Sequence, residues 1–234
     1  MTLNIRGVIN IRYAQIREMD ISNGESIGIA LFVQGCHFHC KNCFNIETWD
    51  FDGGKEWTPE VEDKFVELAN RSYVKRISIL GGEPLADENL DGVLHLVERL
   101  RKEFPESQYI VPNQENDHNI LNENPDKRRL SLPQKMIWLY TGYTVKLSEF
   151  YVINDNYDPT YQYRFIASPK SCHGRENIIR SDIINSVDIL VDGQYVDSQR
   201  DIALQWRGSK NQRVIDVQNS LKKGEITLWT HLQN

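Results

Sequence analysis

The chain has 234 residues, of which 40% are hydrophobic and 26% charged, and these values are typical of one ordinary globular domain. Its formal net charge of −6 at pH 7 argues against binding along a nucleic-acid backbone, which needs clustered lysine and arginine side chains. No apolar run is long enough to cross a bilayer, and the N-terminal stretch lacks the continuous apolar region of a secretory signal. We therefore expect a cytoplasmic protein that binds neither nucleic acid nor membrane.

Strands and helices are predicted in alternation over the first 104 residues. The continuous apolar segment 27–33 predicts a strand buried on both faces, and 77–80 predicts a second strand. Between them, 58–70 has a helical pattern that starts with a capping threonine and a proline. Apolar residues at helical spacing predict another helix over 89–104. This order is typical of a parallel sheet with crossover helices.

Two polar segments interrupt this pattern in the second half of the chain. The segment 105–135 is rich in Asn, Asp, Glu and Pro and lacks periodicity, and the tyrosine-rich stretch 153–181 contains Cys172. Strands are predicted again at 136–141 and 187–191, where short apolar runs end in glycine. We interpret the whole chain as a single domain that carries these two segments as surface insertions.

Three of the four cysteines lie in one loop, directly after the first predicted strand. Cys36, Cys40 and Cys43 have the spacing C-x3-C-x2-C, which lets three thiolates converge on one metal centre. A four-iron cluster held by three cysteines keeps one iron open to bind a substrate. Zinc is the alternative, with His37 or His39 as the fourth ligand, but structural zinc sites usually combine two separated ligand pairs. The spacing favours the cluster, and the fourth cysteine is predicted to be a plain thiol.

Two motifs together resemble the radical S-adenosylmethionine superfamily. The C-x3-C-x2-C motif is followed by an aromatic residue, Phe44, and Gly81-Gly82-Glu83-Pro84 follows the second predicted strand. Glycines at a strand end let the backbone approach a ligand closely, and ligand clefts lie at the carboxyl ends of parallel strands. The resemblance implies an incomplete, open parallel α/β barrel whose [4Fe-4S] cluster is bound by Cys36, Cys40 and Cys43.

The same resemblance implies which residues contact S-adenosyl-L-methionine. Gly81, Gly82 and Glu83 match the motif that contacts the methionyl amino group in this superfamily. Asn42 and Phe44 match the adenosyl side, and Thr141 at the end of the third strand is expected beside the same cleft. No side chain is expected to act as a general acid or base, because the cofactor performs the chemistry.

Further stretches resemble one family of this superfamily, the activating proteins of anaerobic ribonucleoside-triphosphate reductase. These stretches are Asp20–Gly24, Thr48-Trp49, Tyr140–Tyr143, Val191–Gly193 and Arg207–Arg213, of which the last is the most specific. The resemblance implies that a flavodoxin-type reductant reduces the cluster and that S-adenosylmethionine is then cleaved. The resulting 5′-deoxyadenosyl radical would generate a glycyl radical on the reductase subunit.

Two alternatives remain open from the sequence. The first is another radical S-adenosylmethionine enzyme, either an activase for a different glycyl-radical enzyme or a deazapurine-type synthase. The second is a zinc-binding interaction module without enzymatic activity, which the three clustered cysteines would also allow.

Overall fold

The computed structural model describes residues 11–105, 135–153, 159–167 and 174–230. Within them the strands are β1 Arg12–Asp20, β2 Gly28–Val33, β3 Lys55–Glu56, β4 Arg76–Gly81, β5 Met136–Tyr140, β6 Val145–Ile153, β7 Pro159–Ala167, β8 Ile189–Asp192, β9 Arg213–Asp216 and β10 Thr227–Leu228. The α-helices are α1 Pro59–Ala69, α2 Leu90–Glu103, α3 Arg175–Asn185 and α4 Val217–Lys223. None of the helices in these ranges has the length and apolar character needed to cross a membrane.

Eight of the strands form one mixed sheet in the order β10-β9-β8-β5-β4-β2-β1-β3, and β6 pairs with β7 in a separate hairpin. The central strands β2, β4, β5 and β8 are parallel neighbours. The outer strands are antiparallel, with β1 and β3 on one side and β9 and β10 on the other. The predicted open parallel α/β barrel is therefore wrong, because the sheet is mixed and few helices accompany it.

The connections account for two of the antiparallel pairs, β1–β2 and β8–β9. Parallel neighbours need a long crossover, which is usually a helix. Residues 21–27 are too few to make one between β1 and β2, and the segment 193–212 between β8 and β9 contains only a single 3-10 turn, Asp197–Gln199. Both connections therefore return the chain in the opposite direction.

The four central strands lie where the apolar segments predicted them. Alternate side chains of a strand point to opposite faces, so Ile29 and Leu31 of β2 enter the main core while Phe32 packs on the other face with Leu80 of β4. Apolar side chains of α1 and α2 complete the main core. α1 begins at the predicted cap, where the Thr58 hydroxyl accepts a hydrogen bond from the main-chain N–H of Val61.

Part of the second expected insertion contributes buried side chains. β7 pairs antiparallel with β6 along its whole length, and α3 packs against β7. Phe165 of β7 and Ile179 of α3 are buried in the main core. Residues 106–134 of the first expected insertion, and Cys172 in the second, lie outside the described residues.

A buried ion pair joins the end of β1 to β4. The Arg76 guanidinium donates to both the carboxylate and the main-chain carbonyl of Asp20, each at 2.8 Å, and to the carbonyl of Glu25. The Asp20 carboxylate also accepts the main-chain N–H of Asn23. Gly24 has a φ of +131°, and a side chain there would collide with Arg76. The Asp20–Gly24 stretch is thus a structural element of the fold.

Candidate functional site

A cavity of about 550 Å³ opens at the carboxyl ends of the parallel strands β2, β4 and β5. Its wall is built from the cysteine loop 36–45, the glycine turn 81–83, the end of β5 at 140–142 and the segment 193–212. This size is ordinary for a small-molecule site. The motifs that are far apart in the sequence therefore meet around one volume.

The cysteine loop is fixed to the chain that follows it. The main-chain N–H of Gly35 donates to the carbonyl of Thr48 at 2.8 Å, and that of Cys36 donates to the carbonyl of Trp49 at 3.0 Å. Gly35 has a φ of +93°, and a side chain there would overlap the ring of Phe51. The loop therefore leaves β2 in one defined direction, towards the cavity.

All three cysteines of the loop line the cavity as free thiols. His39 and Asn42, between them, have φ values of 45° and 56°, which place two tight bends in the loop. Burial raises the pKa of the Cys36 thiol to about 11, and burial also raises the pKa of Cys40. A bound metal centre would reverse this, because coordination deprotonates a thiol.

The chemistry of these donors fits an iron–sulfur cluster. Thiolates are soft ligands suited to iron–sulfur centres. In the described part of the chain, no three Cys, His, Asp or Glu side chains come close enough together to hold a single metal ion. A four-iron cluster does not require that closeness, because each of its cysteine ligands binds a different iron.

The glycine turn packs directly against the cysteine loop. Gly81 has a φ of +109°, a conformation that favours glycine. A Cβ atom on Gly82 would lie 2.3 Å from the carbonyl oxygen of Gly35, so only glycine permits this approach. The main-chain N–H of Gly82 donates to Val33, and that of Glu83 donates to Gly35. The turn and the loop thus form one backbone unit.

Glu83 and Thr141 bind each other. The Thr141 hydroxyl and the main-chain N–H of Leu85 donate to Oε1 of Glu83, at 2.7 and 2.9 Å, and the N–H of Gly142 donates to Oε2 at 2.7 Å. Burial raises the pKa of Glu83 to about 7, although these donors and the charge of Arg180 act in the opposite direction. The carboxylate therefore ties the end of β4 to the end of β5.

Asn42 and Phe44 contact the segment 193–212. The Asn42 side-chain amide donates to the Asp197 carboxylate at 3.0 Å. The ring of Phe44 lies 5.2 Å from that of Tyr195, and the guanidinium carbon of Arg200 lies 5.0 Å from the Phe44 ring centroid. Phe44 also lines the cavity and is 57% exposed. Both residues hold this segment against the cysteine loop.

Three further residues of the cavity wall each have a buried polar group, and none of the three is among the predicted site residues. The indole N–H of Trp49, the hydroxyl of Tyr140 and Nε of Arg207 are buried without a hydrogen-bond partner among the described residues, and all three residues line the cavity. Each lies in a stretch that carried the family resemblance, but the local sequence gave no sign of which way its side chain points. A buried polar group without a partner is costly, and these three costs fall on residues of the cavity wall.

Comparisons with known proteins give a consistent family. The chain matches the 4Fe-4S single cluster domain over residues 22–126 and again over 113–215. It is 31% identical over 204 residues to the anaerobic ribonucleoside-triphosphate reductase-activating protein of Vibrio cholerae, covering 86% of this chain and 96% of that protein. The protein of the same name from Salmonella typhi is 31% identical over 206 residues, and that from Escherichia coli K12 is 30% identical over 206 residues. Each of these two matches covers 87% of this chain and 97% of the relative.

Proposed function

Because this chain belongs to the family of anaerobic ribonucleoside-triphosphate reductase-activating proteins and has a 4Fe-4S single cluster domain, we propose that it activates that reductase as a radical S-adenosylmethionine enzyme. The observation that carries this proposal is that three free cysteines and a glycine turn line one cavity. Cys36, Cys40 and Cys43 are the proposed ligands of a [4Fe-4S] cluster. Gly81 and Gly82 are the proposed main-chain contacts of S-adenosylmethionine.

The protein's own residues bind and orient the reactants. When bound, the cluster and S-adenosylmethionine would together supply the reductive cleavage whose product takes a hydrogen atom from a glycine of the reductase. A ligand can approach the main-chain groups of the glycine turn closely because glycine has no side chain. Phe32, Phe38 and Leu80 give the wall an apolar part that excludes water.

The other predicted contacts divide into two roles under this proposal. Phe44 presents an exposed ring at the cavity, suited to pack against an adenosyl group. Glu83 and Thr141 act as positioning residues, because their oxygens hold the glycine turn beside β5. Asn42 positions the cysteine loop through Asp197.

The proposal includes an electron donor and a location. Cleavage needs one electron from outside the protein, and a flavodoxin-type reductant is the expected donor. The three described cysteines form no disulfide with one another, as is usual where thiols are kept reduced, and the proposal therefore includes a cytoplasmic location.

Anaerobic reconstitution with iron and sulfide tests the proposal. We expect about four irons and four sulfides per chain. With dithionite and S-adenosylmethionine, the reconstituted protein should release 5′-deoxyadenosine, and with the reductase present it should produce a glycyl radical detectable by electron paramagnetic resonance. A colourless protein that retains zinc, or a loaded cluster that releases no 5′-deoxyadenosine, would contradict the proposal.

A further inference from the structure

The most specific sequence motif contains three cations, and the structure pairs two of them. Arg213 binds both carboxylate oxygens of Asp192. Lys210 lies 3.5 Å from the carboxylate of Asp201. Arg207 has neither a hydrogen-bond nor an ion-pair partner in the part of the chain that the structure describes, and its Nε is buried. The motif therefore leaves one cation unused by the fold.

The neutral side chains of the motif hold the turn that carries Arg207. Oε1 of Gln212 accepts the main-chain N–H groups of Gly208 and Ser209, at 2.9 and 3.1 Å. Nδ2 of Asn211 donates to the carbonyl of Gln194 at 2.8 Å. These bonds fix the main chain next to Arg207, so the fold positions this arginine at the cavity wall.

Two other arginines line the cavity, but each is already engaged. The guanidinium of Arg17 lies over the ring of Phe32, at 4.4 Å from the centroid, and 3.9 Å from the Asp20 carboxylate. Arg200 lies over Phe44. Among the three, Arg207 is thus the arginine with neither an ion-pair nor an aromatic partner in the described part of the chain.

The carboxylates of the cavity wall do not neutralise Arg207. Glu83 and Asp201 are the acidic residues that line the cavity. The oxygens of Glu83 accept three hydrogen bonds from Thr141 and neighbouring main chain, and Asp201 is paired with Lys210. The cavity therefore has an excess of positive charge, which suits an anionic group on its ligand.

We propose that Arg207 binds the carboxylate of the ligand's amino-acid end, which is that of S-adenosylmethionine under the function proposed above. A guanidinium matches a carboxylate with two parallel N–H···O bonds, and such charge-assisted bonds are stronger than neutral ones. Because no residue of the described chain bonds to Arg207, binding the carboxylate breaks no interaction of the fold.

Binding measurements on the reconstituted holoprotein test this role without relying on activity. The two probes are S-adenosylmethionine and 5′-methylthioadenosine, which lacks the amino-acid group. Arg207→Gln should weaken S-adenosylmethionine about tenfold to hundredfold, because one charge-assisted interaction is lost. It should leave the affinity for 5′-methylthioadenosine unchanged.

Two further variants sharpen the result. Arg207→Lys keeps the positive charge but loses the planar guanidinium that can donate two parallel hydrogen bonds. We therefore expect its affinity for S-adenosylmethionine to fall less than that of Arg207→Gln. Lys64→Gln removes a charge from an exposed pair with Glu67 on α1, which does not line the cavity, and should bind both probes as the wild type does. Thermal unfolding of each variant reports whether the fold is retained.

Each contrary result has a distinct meaning. Equal weakening of both probes, or no weakening of either, in Arg207→Gln would overturn the role of Arg207. A wild-type protein that binds both probes equally well would also overturn it, because the carboxylate would contribute nothing, while the proposed function would stand. A wild-type holoprotein that binds neither probe would overturn the proposed function and this inference with it.

Discussion

Whether the cavity can hold a cluster depends on single residues, above all on the three cysteines proposed as its ligands. The thiols of Cys36, Cys40 and Cys43 all line it. We expect Cys36→Ala, Cys40→Ala and Cys43→Ala each to lose the cluster, since a cubane with two protein ligands is poorly held. Cys172→Ala should retain full iron and sulfide, as counted after anaerobic reconstitution. Loss of the cluster in Cys172→Ala would overturn the ligand assignment.

Glu83 gives the molecule a pH dependence that a substitution can isolate. Burial raises its pKa from 4.5 to about 7, so the fold favours the protonated form. Its stabilising contribution is therefore fully present below pH 4.5 and is lost as the pH rises through about 7. The free energy of unfolding of the wild type, relative to Glu83→Gln, should fall by up to about 3 kcal/mol over this range.

Urea unfolding of both proteins at several pH values measures this difference. The comparison cancels the titration of all other groups, provided that they are unaffected by the substitution. A difference in unfolding free energy that stays constant from acid to alkaline pH would show that Glu83 keeps an ordinary pKa.

At the scale of elements, the cavity depends on contact between the cysteine loop and the segment 193–212. Asn42 reaches Asp197 across 155 positions of sequence. Asp197→Ala removes this bond, which contributes about 1 kcal/mol, and should let the segment move away from the loop. We expect the reconstituted cluster to lose iron to a chelator several times faster than in the wild type.

The control for this experiment is Asp182→Ala. Asp182 is exposed on α3, and its substitution changes the net charge by the same amount. It should release iron at the wild-type rate. If Asp197→Ala also does so, the segment does not protect the cluster.

The elements also show how far the sequence predicts the structure. The four central strands are continuous apolar runs, which sequence patterns identify well. β1 is only partly buried and β3 and β10 have two residues each, so no pattern marks them. The open parallel barrel that the family resemblance implies is wrong because the strands outside the centre, β1, β3, β9 and β10, pair antiparallel.

The site was partly predictable for a similar reason. Cysteines and glycines at neighbouring strand ends must meet, because parallel strands bring their carboxyl ends to one edge. The roles of Asn42 and Glu83 depend on tertiary contacts with Asp197 and Thr141, which no local pattern contains. The position of Arg207 in the cavity wall has the same origin.

At the scale of the whole molecule, the ion pair between Asp20 and Arg76 links β1, next to one edge of the sheet, to the central strand β4. Both side chains are 1% exposed. Asp20→Ala leaves a buried guanidinium without its charge partner, and we expect a loss of about 3–5 kcal/mol in the free energy of unfolding. Urea denaturation measures this loss.

Glu18→Ala is the matched control, because Glu18 lies on the same strand and pairs with Arg71 at the surface. An exposed pair contributes less than about 1 kcal/mol. Similar unfolding free energies for the two variants would mean that the buried pair does not stabilise the fold.

An open sheet, unlike a closed barrel, leaves two edges where a strand from another molecule could add. The outermost described strands, β3 Lys55–Glu56 and β10 Thr227–Leu228, have only two residues each and offer few free main-chain groups. Both residues of β3 are also exposed and charged. Short and charged edge strands are a common protection against intermolecular strand pairing. The sheet can therefore stay open around its cavity without becoming a template for aggregation.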